Sequence, residues 1–347
     1  MPRSKRTAER LLTAAWQARG ALAIALLPLA LVFALLAALR RGLFRVGLRQ
    51  STPVGVPVVV VGNIVAGGVG KTPLVIHLCH QLAARGRTPG VVARGYGASA
   101  APSVPLLVQT DTPASVCGDE PLLVRRRTGV PVCVSPNRVA AAQALRAAHP
   151  EVDVIVSDDG LQHLALARDV EIVLFDARGI MNGWPLPAGP LREPVSRLAR
   201  VDAIVGNGCA VSPRLCFGWP VFRMDVAPGD LYPLAGGQPL SAAAFIERFA
   251  GQRIHAVAGI GDPQRFFDLL SSLGIAAVPH AFGDHHAYTD ADLALPADVI
   301  VATEKDAVKF SNNVRASAPV WVLPIDARLT PDLAALVLEK MDGRPTA

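Results

Sequence analysis

Hydrophobic positions along this 347-residue chain follow two regimes. Over residues 20–39 no side chain is charged, and nearly all are Ala, Leu, Ile, Val or Phe. At about 1.5 Å per residue such a run reaches about 30 Å, the hydrocarbon thickness of a bilayer, and it predicts an N-terminal membrane helix with Pro28 placed to kink it. A signal-peptide core is usually shorter and ends in small residues, whereas this run ends in Arg40-Arg41; a buried soluble helix is the other alternative. Beyond residue 50, short β-branched runs alternate with amphipathic stretches. Residues 56–61, 90–93, 130–134, 152–156, 171–175 and 203–205 predict strands, and 72–84 and 138–148 predict helices, the second opening behind Ser135-Pro136-Asn137. This alternation predicts an α/β fold whose doubly wound parallel sheet occupies residues 51–215. A Gly/Pro-rich stretch, 213–239, interrupts it. The pattern then resumes with a strand at 254–258, a turn at 259–263, a helix over 264–273 and strands near Ala277, Val299 and Val320, which predicts a smaller α/β domain over 216–347. Open α/β sheets bind ligands beyond the carboxyl ends of their strands, so donor and acceptor are expected to meet in the cleft between the two domains.

Composition adds to this picture only when it is located along the chain. A content of 51% hydrophobic and 18% charged residues supports packed cores and excludes disorder. The formal charge of +6 is concentrated in the first fifty residues, where Arg3, Lys5, Arg6, Arg10, Arg19, Arg40, Arg41, Arg45 and Arg49 face a single acid, Glu9. The remainder is slightly acidic. A basic N-terminus around an apolar run points to an anionic membrane surface and away from nucleic acid. Cys79, Cys117, Cys133, Cys209 and Cys216 form no C-x-x-C pair and imply a reduced body. His77, Cys79 and His80 lie close together, but one helix cannot close a tetrahedral metal site, and they read as packing and surface.

The strand expected at 56–61 runs into Gly62-Asn63-Ile64-Val65-Ala66-Gly67-Gly68-Val69-Gly70-Lys71-Thr72-Pro73, which opens a helix. This is a phosphate-binding loop. Gly67, Gly68, Val69 and Gly70 let successive backbone N–H groups face one anion, Lys71 supplies a point charge to the β/γ-phosphates, and the Thr72 hydroxyl can hold Mg²⁺. The strict G-x-x-x-x-G-K-[ST] spacing places its first glycine at position 65, where this chain has Val65. The motif therefore predicts a P-loop NTPase-like domain with a variant loop. Asp158 and Asp159 follow the strand expected at 152–156 and suit a hard cation such as Mg²⁺; an Asx turn ahead of Gly160 is the alternative.

The same motifs recur in a specific order. Gly-Asn-Ile-x-x-Gly-Gly-x-Gly-Lys-Thr-Pro is followed by Arg94-Gly95-Tyr96-Gly97, Gly118-Asp119-Glu120-Pro121, Asp158-Asp159-Gly160-Leu161-Gln162-His163, Leu191-Arg192-Glu193-Pro194 and Asp284-His285-His286. With the N-terminal apolar helix, this ordered set resembles the tetraacyldisaccharide 4′-kinase family of lipid A biosynthesis over nearly the whole chain. The resemblance implies ATP- and Mg²⁺-dependent phosphorylation of the 4′-hydroxyl of a lipid-linked disaccharide 1-phosphate at the cytoplasmic face of the inner membrane of a Gram-negative bacterium. It implies no nucleic acid and no required protein partner. It also assigns the base that accepts the hydroxyl proton to Asp119, with His285 as its partner; a helix N-cap and a surface histidine are the plain alternatives. Arg138 and Arg192 could each clamp phosphate through a planar guanidinium or be ordinary surface charge. Tyr96 could contact the disaccharide or lie in the core.

Thr303-Glu304-Lys305-Asp306 has one residue too many between Thr and Lys for the guanine-reading motif of GTPases, leaving a contact to base or ribose, or a plain helix start. Two further functions compete with the kinase. A membrane-associated deviant-Walker ATPase switch also uses Gly-Gly-x-Gly-Lys-Thr, but it carries an extra lysine where this chain has Ala66. A soluble dethiobiotin-synthetase-like ligase would not need the apolar run.

Overall fold

The computed structural model describes residues 13–96, 104–310 and 314–343. Arg3, Lys5, Arg6, Glu9, Arg10 and Gly97, used in the sequence reading, lie outside the described residues. By compactness the chain divides into two interleaved units, one taking residues 1–74, 153–225 and 329–347 and the other 75–152 and 226–328. The boundary expected near residue 215 follows the change in strand pattern; compactness instead groups 75–152 with the later segment.

In chain order the strands are β1 (Val58–Gly62), β2 (Pro89–Ala93), β3 (Leu106–Val108), β4 (Val132–Val134), β5 (Val154–Asp158), β6 (Val170–Asp176) and β7 (Ala203–Asn207). They continue with β8 (Val221–Pro228), β9 (Tyr232–Pro233), β10 (Ile254–Ala258), β11 (Val278–Ala281), β12 (Val299–Thr303) and β13 (Val320–Leu323). The helices that matter below are α1 (Ala21–Ala25), α2 (Leu27–Arg45), α3 (Lys71–Ala84), α4 (Asp119–Thr128), α5 (Arg138–Ala148), α6 (Pro263–Ser272) and α7 (Glu304–Ala307).

The first unit is organised around β1, whose Val-Val-Val-Val-Gly sequence is buried throughout. Stiff β-branched side chains buried on both faces are the mark of a central parallel strand. β1 pairs in parallel with β5 on one side and β6 on the other, and the series continues through β7 to β8. Register places Asp158 beside Val61, so the last residue of β5 emerges next to the residue that precedes the loop.

In the second unit β4 pairs in parallel with β2 and antiparallel with β3. A five-stranded sheet, ordered β11-β10-β12-β13-β9, is parallel except for β9. One of its two core clusters holds Phe245, Phe266, Leu270 and Trp321, and the other holds Val257, Ile300, Ala302 and Tyr288. Helix α5 begins where the sequence suggests, because Asn137 Oδ1 accepts from the Val139 and Ala140 N–H groups at 3.1 and 3.2 Å.

Two expectations change. The apolar run is not one helix over 20–39: α1 closes at Leu26 and α2 carries on past Arg40-Arg41 to Arg45. Pro28 sits in the first turn of α2 rather than kinking a longer helix, a place where its missing N–H leaves no bond unmade. The Gly/Pro-rich stretch 213–239 also contains strands β8 and β9.

Candidate active site

The loop between β1 and α3 is held from several sides. Asn63 is fully buried, and its Nδ2 donates to the Val65 and Gly67 carbonyls at 2.7 and 3.3 Å. The Ala66 N–H donates to Pro190 O at 2.8 Å, and Asn207 Nδ2 donates to Val69 O at 2.9 Å. Two of the loop's glycines have a steric or conformational reason. Gly62 is required by proximity, since a Cβ there would come within 2.7 Å of Leu161 Cβ. Gly70 is required by conformation, with φ of +93° and Asn207 Nδ2 only 2.4 Å from where a Cβ would sit. Gly67 has φ of +99° beside Arg178, whose Nη2 donates to Gly68 O at 2.5 Å and which pairs with Asp176.

Lys71, at the start of α3, points its Nζ to Asn63 Oδ1 at 3.4 Å and to Asp159 Oδ1 at 3.5 Å. Arg192 Nη1 meets the same carboxylate at 3.1 Å, and the Arg192 N–H donates to Ile64 O at 2.8 Å. Burial opposes the charge on Asp159, but Lys71 and Arg192 outweigh it and hold the carboxyl below its ordinary range. Asp159 is thus engaged by two cations. Asp158 is buried at the end of β5, and Thr72 is buried in the first turn of α3. These two oxygen donors are of the kind a small hard cation uses when phosphate and water complete its shell. Among the described residues no group of three or more His, Cys, Asp or Glu side chains is assembled for a metal.

A second constellation lies in the second unit. Asp119 opens α4 behind Gly118, which has φ of +91° and where a Cβ would come within 2.4 Å of Tyr96 O. Only 2% of Asp119 is exposed, and both of its carboxylate oxygens lie against His285 Nδ1, at 3.0 and 2.9 Å. His285 has φ of +55°, a left-handed conformation uncommon for a residue with a side chain and concentrated at functional sites. The Tyr96 ring packs edge-on to His285 with centroids 4.9 Å apart while remaining 65% exposed, which removes the core reading for Tyr96. Burial alone would raise the Asp119 carboxyl; the His285 hydrogen bond and the positive charges of Lys305, His285 and Lys309 overcome this and lower it.

The remaining sequence assignments separate. Arg138 is buried in the first turn of α5, and its Nη1 donates to Ser135 O at 2.9 Å, so it is not surface charge. Thr303 caps α7: its hydroxyl accepts from the Asp306 N–H at 3.1 Å and donates to Asp306 Oδ2 at 2.6 Å. Glu304 Oε2 accepts from Arg127 Nη1 at 2.5 Å and from the Ile325 N–H at 3.2 Å. The segment is a helix start with its side chains turned inward. Cys79 is buried and His80 exposed, in line with packing and surface roles.

Arg178 and Asn207, which shape the loop, and Lys309 near Asp119 carry no motif of their own in the sequence, while Asn63 and Lys305 stand inside segments quoted above with neither of these roles assigned to them. A signal existed for the lysines. The chain has 29 arginines and only five lysines, and Lys71, Lys305 and Lys309 all stand beside site carboxylates.

The tetraacyldisaccharide-1-P 4′-kinase family, LpxK, matches residues 22–342. A tetraacyldisaccharide 4′-kinase of Dechloromonas aromatica is 50% identical over 324 residues, covering 93% of each chain. One of Aromatoleum aromaticum is 49% identical over 337 residues, covering 96% of this chain and 98% of its own. The crystal structure of LpxK from Aquifex aeolicus in complex with ATP superposes with a TM-score of 0.75 at 26% identity, covering 92% of this chain and 99% of that one. With a matching family over almost its full length, a matching fold and the family's motifs in order, this chain belongs to the tetraacyldisaccharide-1-P 4′-kinase family.

Proposed function

We propose that this chain transfers the γ-phosphoryl group of ATP to the 4′-hydroxyl of a tetraacyldisaccharide 1-phosphate in lipid A biosynthesis, with Asp119 accepting the hydroxyl proton. Family membership supports the reaction. The observation that carries the mechanism is the buried Asp119 carboxylate bonded through both oxygens to His285. A sugar hydroxyl is a weak nucleophile, so its proton must leave as its oxygen bonds to phosphorus. The 4′-oxygen attacks the γ-phosphorus, the bond to the β–γ bridging oxygen breaks, ADP departs, and the proton passes to Asp119. His285 orients the carboxylate by hydrogen bonding.

In this reading Lys71 and the N–H groups of residues 67–72 hold the phosphates, and Asp159 with Asn63 aims the Lys71 ammonium. Thr72 and Asp158 would hold Mg²⁺, which offsets the charge developing on the transferred group. Arg192 pairs with Asp159 and Arg138 lies buried at a helix start, and we assign both to phosphate contacts when nucleotide is bound. Tyr96 offers its exposed ring to the sugar. The reading sets the reaction at the cytoplasmic face of the inner membrane, where ATP is available and where the exposed apolar face of α2 can meet the lipid that carries the substrate.

The test is transfer of labelled γ-phosphate from ATP to a purified lipid A disaccharide precursor in detergent with Mg²⁺. Label in the lipid is the expected result. ATP hydrolysis with no label in the lipid would overturn the reading in favour of the ATPase switch, which family membership disfavours.

A further inference from the structure

The residues adjoining Asp119 and His285 are joined by one cation. Lys305 Nζ lies 2.9 Å from Glu120 Oε1 and 3.2 Å from Asp284 Oδ1, so an ammonium on α7 ties the neighbour of the proton acceptor to the neighbour of the imidazole. Asp284 Oδ1 also accepts from the His285 N–H at 3.1 Å, at the residue whose backbone is left-handed. The lysine's own position is fixed from both sides. Glu304 before it is held by Arg127 and the Ile325 N–H, and Asp306 after it is held by Thr303, the Gly259 N–H at 2.9 Å and Lys309 at 2.7 Å. The inward-turned side chains of Thr303-Glu304-Lys305-Asp306 thus amount to a mount for one ammonium.

We propose that Lys305 is a positioning residue for phosphoryl transfer: by bridging Glu120 and Asp284 it sets the Asp119–His285 hydrogen bond and supplies positive charge that keeps Asp119 ready to accept a proton. The inference rests on the kinase reading. Lysine suits the task because its ammonium offers three donors around one point and can serve two separate carboxylates, whereas the planar fork of arginine favours bidentate pairing with one. Among the described residues the charged and titratable groups around Asp119 include His285, Lys305, Lys309 and Cys117, with Glu120 and Asp284 bound to Lys305 and Asp306 behind Lys309. Removing Lys305 therefore leaves the carboxylate easier to protonate.

The experiment compares wild type, Lys305→Met and Lys305→Arg in the lipid phosphorylation assay across pH. For Lys305→Met the expected result is a fall in kcat of roughly tenfold or more, a part of the 10²- to 10⁴-fold due to a proton acceptor, with ATP KM unchanged. The acid limb of the kcat profile should move to higher pH, and Lys305→Arg should move it back. In an Asp119→Asn background Lys305→Met should cost nothing further. Wild-type kcat and acid limb in Lys305→Met, or an equal loss in the Asp119→Asn background, would overturn the inference. If Lys305→Met fails to fold, the double variant Glu120→Gln with Asp284→Asn must reproduce the kcat loss, and full activity there is also fatal. An inactive wild type would refute the kinase reading, whereas an active wild type matched by Lys305→Met refutes only the positioning role.

Discussion

The proton-accepting role proposed for Asp119 needs a carboxylate that is ionised and aimed, and Asp119 has around it His285, Lys305 and Lys309, all distant in sequence. Asp119→Ala should lower kcat by about 10²- to 10⁴-fold with little change in ATP KM; a change confined to ATP KM would make Asp119 a nucleotide contact instead. Lys71→Ala should abolish transfer while circular dichroism stays native, and near-normal labelled-ATP transfer would refute its phosphate role. The lowered Asp119 carboxyl also has a stability consequence. A carboxylate depressed in the folded state contributes stability above its unfolded value of about 3.9, and that contribution is lost as pH falls through the folded value. Asp119→Asn should therefore flatten the pH dependence of the urea midpoint below about pH 4, and an unchanged acid slope would count against the cationic surroundings as its cause. Lys71, Asp119, Asp158, Asp159 and His285 could be singled out as candidates from the sequence because each sits in a local motif. The roles of Asn207 and Lys305 could not be read there, because they lie in contacts with residues remote along the chain, Asn207 with Val69 and Lys305 with Glu120.

Elements were legible where burial is symmetrical. β1, β5 and β6 are covered on both faces and so read as unbroken apolar runs, and their observed ends fall within two residues of the expected ones. The two-residue β9 and three-residue β3 are too short to show a period, and both pair antiparallel at the end of a strand series. Helix α4 enters the sequence analysis only as the N-cap alternative for Asp119, although its charges mark its whole length: Asp119 and Glu120 occupy the first turn and Arg125, Arg126 and Arg127 the last, matching the helix dipole. Helix α5 was found through its cap, which makes a direct test possible. Asn137→Ala removes the acceptor of two N–H groups and should cost about 1 kcal/mol in urea unfolding. A loss below the error of the measurement would show that tertiary packing of α5, not its cap, sets where it begins.

For the whole molecule the proposed membrane contact sets charge against apolar surface. Leu29, Leu31, Val32, Leu35, Leu36 and Leu39 on α2 are each 53–69% exposed, an apolar area that water does not tolerate without cost. At roughly 1.5–3 kcal/mol per side chain, burying six of them is worth on the order of 10 kcal/mol. Arg40, Arg41 and Arg45 towards the end of α2 add about 1 kcal/mol each near anionic lipid, and that part is screened by salt. The apolar term therefore dominates. Binding to anionic vesicles should survive high salt, which removes only the charge contribution. Leu31, Leu35 and Leu39 recur every four residues and so share one face of α2. Changing all three to Ser should move the protein from the vesicle pellet to the supernatant, while ATP affinity, assigned above to residues 67–72, stays the same. If the triple variant pellets as wild type does but is released by high salt, the arginines rather than the leucines hold this chain to the membrane.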